Sequence, residues 1–120
     1  MVFVMRLNGI ILSLIVFCTI QTAHAQTTPP ITPSGLNTTV TSNDGTYNIT
    51  GGTRPGGGEN LFHSFGEFNV PTNQIANFLN DSSLTTLNIL ARVNGGNPSN
   101  ILGTIQTTGF RDANLFLMNP

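Results

Sequence analysis

Leu87-Asn88-Ile89-Leu90-Ala91-Arg92-Val93 decides the fold class. Leu87, Ile89, Ala91 and Val93 recur at every second position, with Asn88, Leu90 and Arg92 between them. A period of two is the geometry of a strand, whose successive side chains point to opposite faces. A helix would place its apolar residues three and four apart. The segment therefore predicts a strand from Leu87 to Val93, with Ile89, Ala91 and Val93 buried. Asn94-Gly95-Gly96-Asn97-Pro98-Ser99 turns the chain behind it. Ile101, Gly103 and Ile105 again share one face, and Asp112-Ala113-Asn114-Leu115-Phe116-Leu117-Met118 predicts a last strand before Asn119-Pro120 opens a turn.

The same pattern extends upstream. Leu61 to Val70 is the most aromatic stretch, and Phe68 and Val70 alternate with Glu67 and Asn69 as a strand with one buried face. Gln74 to Asn80 fits a short strand or one helical turn. Leu36–Thr41 and Thr46–Thr50 are short strands around Asn43-Asp44-Gly45, a strong hairpin turn. The glycine-rich run 51–58 is a flexible loop. It lacks both the Lys-Ser/Thr of a phosphate-binding loop and the spaced aspartates of a calcium loop. Strand starts near positions 61, 87, 99 and 113 suit a solenoid of coils with Asn/Gly corners.

Composition agrees. After position 25, Thr, Asn, Gly and Ser number 15, 14, 12 and 6 of 95 residues. Threonine favours strands, and asparagine and glycine favour tight turns. Three arginines (Arg54, Arg92, Arg111) stand against five acids (Asp44, Glu59, Glu67, Asp81, Asp112), a net charge of −2 with no lysine. Nucleic acid needs a clustered positive field, which three scattered arginines do not make, and this count argues against it as a partner. The single cysteine, Cys18, precedes this region, so no disulfide is available to it.

The N-terminus has its own logic. Arg6 is the only charge before position 44 and precedes an apolar run, Ile10 to Ile20. That run is too short for the roughly 20 residues of a spanning helix and fits the roughly 7–15 of a signal-peptide core. Ala23-His24-Ala25 then supplies the small-x-small pattern of a cleavage site. Residues 1–25 are expected to be a helical signal peptide cut between Ala25 and Gln26. Residues 26–34 are expected to be a Pro/Thr linker or extended arm, and 35–120 the folded domain.

Three blocks carry a family resemblance: Asn60-Leu61-Phe62-His63-Ser64-Phe65-Gly66-Glu67-Phe68-Asn69-Val70, then Asn88-Ile89-Leu90-Ala91-Arg92-Val93-Asn94-Gly95-Gly96-Asn97-Pro98-Ser99-Asn100-Ile101-Leu102-Gly103-Thr104-Ile105, then Ala113-Asn114-Leu115-Phe116-Leu117-Met118-Asn119-Pro120. In this order, behind a signal peptide, they resemble the filamentous haemagglutinin N-terminal domain, the two-partner-secretion domain of large exported adhesins, in its cyanobacterial form. The resemblance runs from Gly35 to Pro120 and covers roughly the first half of the family domain. Of the family's closing Asn-Pro-Asn-Gly-Ile, only Asn119 and Pro120 are present. The resemblance implies an all-β, right-handed parallel β-helix and export to the cell surface or beyond. It also implies a partner, an outer-membrane transporter made of POTRA domains plus a barrel. It implies no catalysis, no cofactor and no small-molecule substrate.

β-Helices also host carbohydrate-active enzymes, which need paired carboxylates or a metal with a base. Asp81 and Asp112 could meet across coils, though nothing in their spacing requires it. His63 and Ser64 are neighbours on a strand and point to opposite faces, which separates them as a catalytic pair. A fragment of such an enzyme, or a truncated reading frame without independent function, is the alternative to the secretion module.

Overall fold

The computed structural model describes residues 2–7, 10–16, 18–23 and 27–120. Its regular elements are strands, apart from one 3-10 turn at Pro55–Gly57. No helix among the described residues is long and apolar enough to cross a membrane.

The expected signal-peptide helix is corrected. Strands β1 (Val2–Leu7) and β2 (Ile10–Ile15) pair antiparallel, from Val2 against Ile15 to Leu7 against Ile10. Two features favour strands here. Ile10, Ile11 and Ile15 are β-branched, and Asn8-Gly9, which separates the strands in the sequence, is a strong two-residue hairpin pair.

The remaining strands are β3 (Ile31–Pro33), β4 (Thr38–Asn43), β5 (Thr46–Gly51), β6 (Asn60–Phe68), β7 (Ile75–Leu79), β8 (Asn88–Val93), β9 (Thr104–Thr108) and β10 (Asn114–Met118). They form two mixed four-stranded sheets, ordered β10-β8-β6-β3 and β4-β5-β7-β9. From β5 onward the chain alternates between the sheets, and from β7 onward each strand lies parallel to the one two before it. One circuit takes 26–29 residues, as in the registered pairs Asn60–Asn88, Asn88–Asn114 and Asn48–Asn77. At the opposite edges, β3 lies antiparallel to β6 and β4 antiparallel to β5.

Sequence reading anticipated most of these strands, with informative exceptions. The β4–β5 hairpin turns at Asp44 and Gly45, both left-handed (φ 45° and 78°), as a two-residue primed turn demands. Gln74–Asn80 resolves as β7, and its presence removes the apparent gap between the strands near 61 and 87. The presumed linker contributes β3, and Ile31 enters the core at 2% exposure. Strand β8 begins at Asn88, one residue later than expected: Ile89, Ala91 and Val93 are buried, and Leu87, outside the strand, is 51% exposed. Ile101 makes only an isolated parallel bridge to Val70 and is also largely exposed; the strand is Thr104–Thr108.

The core lies between the sheets. Leu61, His63, Phe65, Phe68, Ile89, Ala91 and Val93 face it from the first sheet, and Tyr47, Ile49, Ala76 and Phe78 from the second. Phe65, Phe68 and Phe78 form a three-ring cluster with centroids 5.0, 6.1 and 6.2 Å apart, the range of favourable aromatic pairs.

Candidate functional site

The three blocks separated in sequence become one surface. Asn60-Leu61-Phe62, Asn88-Ile89-Leu90 and Asn114-Leu115-Phe116 stand in register on β6, β8 and β10. Each contributes an asparagine at the strand start, an inward aliphatic residue and an outward apolar one. The asparagines form a ladder: Asn88 Nδ2 donates to Asn60 Oδ1 at 2.9 Å, and Asn114 Nδ2 donates to Asn88 Oδ1 at 3.2 Å. Inward, Leu61 and Ile89 are buried and Leu115 packs partly against the same core. Arg92 lies on the outer face and is exposed.

A second amide ladder crosses the other sheet. Asn77 Nδ2 donates to Asn48 Oδ1 at 2.8 Å, and Asn77 Oδ1 accepts from the Thr108 hydroxyl at 2.7 Å. At a corner, Asn94 Oδ1 accepts from Ser34 Oγ (3.0 Å) and Asn94 Nδ2 donates to Ser64 Oγ (3.3 Å). These repeated amide contacts tie successive circuits together where disulfides are absent.

The motif glycines separate into two kinds. A Cβ on Gly95 would run into the backbone of Gly66 in the preceding circuit, and one on Gly103 into the carbonyls of Pro71 and Gln74. These positions let one turn stack on the last. Gly96 faces open space. Ser99 and Asn119 are brought together: the Ser99 backbone N–H and hydroxyl both donate to Asn119 Oδ1, at 3.3 and 3.2 Å. Ile105 and Ala113 pack partly on the core, while Pro120 is exposed. Ala23 is exposed; Ala25 and Gln26, the expected cleavage pair, lie outside the described residues.

The groups with chemical potential serve local structure. His63 is 2% exposed, with Nδ1 3.2 Å from the Thr38 hydroxyl, which also accepts the Ser64 N–H at 3.1 Å. Burial lowers its pKa to about 4; Asp81 opposes this shift and Arg54 adds to it. Asp81 Oδ2 accepts from the Gly51 N–H at 3.3 Å, and Glu67 Oε1 accepts from Asn97 Nδ2 at 2.8 Å. Asp112 and Arg111 line a groove of about 380 Å³ with Leu84, Leu87 and Phe110. Among the described residues, no three His, Cys, Asp or Glu side chains gather as metal ligands would.

Sequence reasoning missed the role of Arg54. The glycine-rich run is tethered rather than loose: Thr53 and Phe62 exchange backbone hydrogen bonds of 2.8 and 2.9 Å. Arg54 bonds the carbonyls of Gly58 and Thr85 and the Thr86 hydroxyl, the last at 2.7 Å. A lone arginine among glycines was the available signal.

The family model of the TPS secretion domain, the two-partner-secretion domain, matches residues 23–120. The chain belongs to this family. No curated protein and no solved structure matches it. Membership in the TPS family implies a secreted or cell-surface protein that interacts with an outer-membrane transporter.

Proposed function

We propose that the chain is the secretion-recognition module of an exported adhesin or haemagglutinin-like protein. An outer-membrane transporter recognises it through periplasmic POTRA domains and passes it through a barrel. On this reading residues 1–25 are a Sec signal peptide removed after Ala25, 26–34 lead into the module, and 35–120 are the opening coils of a right-handed parallel β-helix. The observation that carries the reading is the family match over residues 23–120. The alternation of strands between two sheets in circuits of 26–29 residues supports the β-helix. The role is one of recognition rather than catalysis.

Deleting the transporter gene tests this. The processed protein should accumulate in the periplasm, starting at Gln26 by mass spectrometry. Undiminished export without the transporter would sink the proposal, and an intact N-terminus held in the inner membrane would refute the cleavage.

A further inference from the structure

Of the 14 asparagines after position 25, Asn94 alone precedes a glycine. A glycine leaves the backbone nitrogen behind an asparagine unshielded and free to turn, so that nitrogen can reach the asparagine Cγ and close a five-membered ring. The Gly95 nitrogen gives its proton to solvent base and attacks Asn94 Cγ. The Cγ–Nδ2 bond breaks, and Nδ2 takes up a proton and leaves as ammonia. Water then opens the succinimide. Addition at Cγ gives aspartate. Addition at the main-chain carbonyl carbon gives isoaspartate, whose backbone runs through Cβ and Cγ and is one atom longer.

The fold holds this pair at a corner where the ring cannot close. The Asn94 N–H donates to the Phe65 carbonyl of the preceding circuit at 2.8 Å. The Asn94 side-chain amide is held at both ends, Oδ1 by Ser34 Oγ and Nδ2 by Ser64 Oγ, at 3.0 and 3.3 Å. The two serines are themselves joined, hydroxyl to hydroxyl at 3.0 Å and Ser34 N–H to Ser64 carbonyl at 2.9 Å. On the other side, Gly95 sits so close to the Gly66 backbone that no Cβ fits. Closing the ring needs rotation about both the Cα–Cβ and the Cα–C bonds of Asn94. The first rotation breaks the serine hydrogen bonds, and the second swings Gly95 against Gly66. Asn94 is exposed, so geometry, and not exclusion of water, withholds the reaction.

The two products differ in how they fit this corner. The carboxylate of an aspartate accepts from both serine hydroxyls, each of which can donate. An isoaspartate inserts its extra atom between Val93, the last residue of β8, and Gly95, where the Gly66 backbone leaves no room for a shift.

We propose that Asn94-Gly95 is a spontaneous deamidation site that is open in the unfolded chain and closed by folding, and that the fold rejects its isoaspartyl product. Time spent unfolded is thereby written irreversibly into the chain. The reaction needs water and no partner, so it stands apart from recognition by the transporter.

The test holds the full chain in warm buffer at about pH 8, with and without unfolding urea, and follows amide-to-acid conversion at residue 94 by peptide mass mapping. Conversion should be at least about tenfold faster in urea, because the folded corner must open before it reacts. On dilution from urea, chains with isoaspartate at position 94 should be missing from the folded fraction, and chains with aspartate there should return to it. Protein isoaspartyl methyltransferase with its methyl donor converts isoaspartate to aspartate through the same ring, and should restore refolding of the aged chain. Equal conversion with and without urea, or none at Asn94 in urea, overturns the proposal. So does refolding of isoaspartyl chains at the parent's yield, or a loss of refolding that the methyltransferase does not restore.

Discussion

Acid should destabilise this domain through one side chain. His63 is buried against Phe65 and Phe78, with ring centroids 6.1 and 5.6 Å away, and burial drives its pKa from 6.5 to about 4. The unfolded chain takes up a proton near pH 6.5, and the folded one only near pH 4. Between those values the unfolded state binds more protons, so stability falls as pH falls. The loss begins below about pH 6.5 and is complete below about pH 4. With these two values it amounts to about 2–3 kcal/mol at pH 4.5 relative to pH 7. Urea titrations of the parent and of His63→Phe at pH 7 and 4.5, followed by circular dichroism, measure it. Contributions common to both chains drop out of the difference. The parent should lose about 2–3 kcal/mol more than the variant. Equal losses would show that His63 is solvated or already charged in the fold, and the burial argument would fail.

Other substitutions probe the packing. Ile89→Ala, at a fully buried position, should cost about 2–5 kcal/mol by urea denaturation; a cost below about 0.5 kcal/mol would mean that its face is not core. Gly95→Ala should cost about 1–3 kcal/mol because its methyl group would meet the Gly66 backbone. Gly96→Ala, which meets nothing, should stay within about 0.5 kcal/mol of the parent. Arg54→Ala removes two hydrogen bonds between the glycine-rich run and Thr85–Thr86, and one within the run, to the Gly58 carbonyl. It should cost about 1–3 kcal/mol and speed amide exchange in that run; unchanged exchange would contradict the tether.

Much of the fold was legible because period-two burial is a local signal. Ile89, Ala91 and Val93 alternate cleanly, and the Asn43-Asp44-Gly45 turn has few conformations open to it. Leu87 misled because the alternation continues one residue beyond the strand, where the ladder no longer orients the side chain. β7 was ambiguous because Ala76, Asn77 and Phe78 are all buried, Asn77 through its amide ladder, so no apolar period shows. β1 and β2 lie in the stretch expected to be a helical signal peptide, whose unbroken apolar run from Ile10 to Ile20 has no period that separates strand from helix. At the candidate site, the three blocks were recognised as family motifs, but not as the same strand in successive circuits. Register is a long-range property: the Asn60–Asn88–Asn114 ladder and the outward row Phe62–Leu90–Phe116 exist only after the chain has turned twice.

On the reading proposed above, the transporter recognises this chain and exports what is joined to it. Fusing residues 1–120 ahead of a reporter that folds only outside the cell, and expressing the fusion with and without the transporter, tests it directly. The account predicts reporter in the medium or on the cell surface only when the transporter is present, and periplasmic retention otherwise. Periplasmic retention in both cases, or export in both, would contradict it.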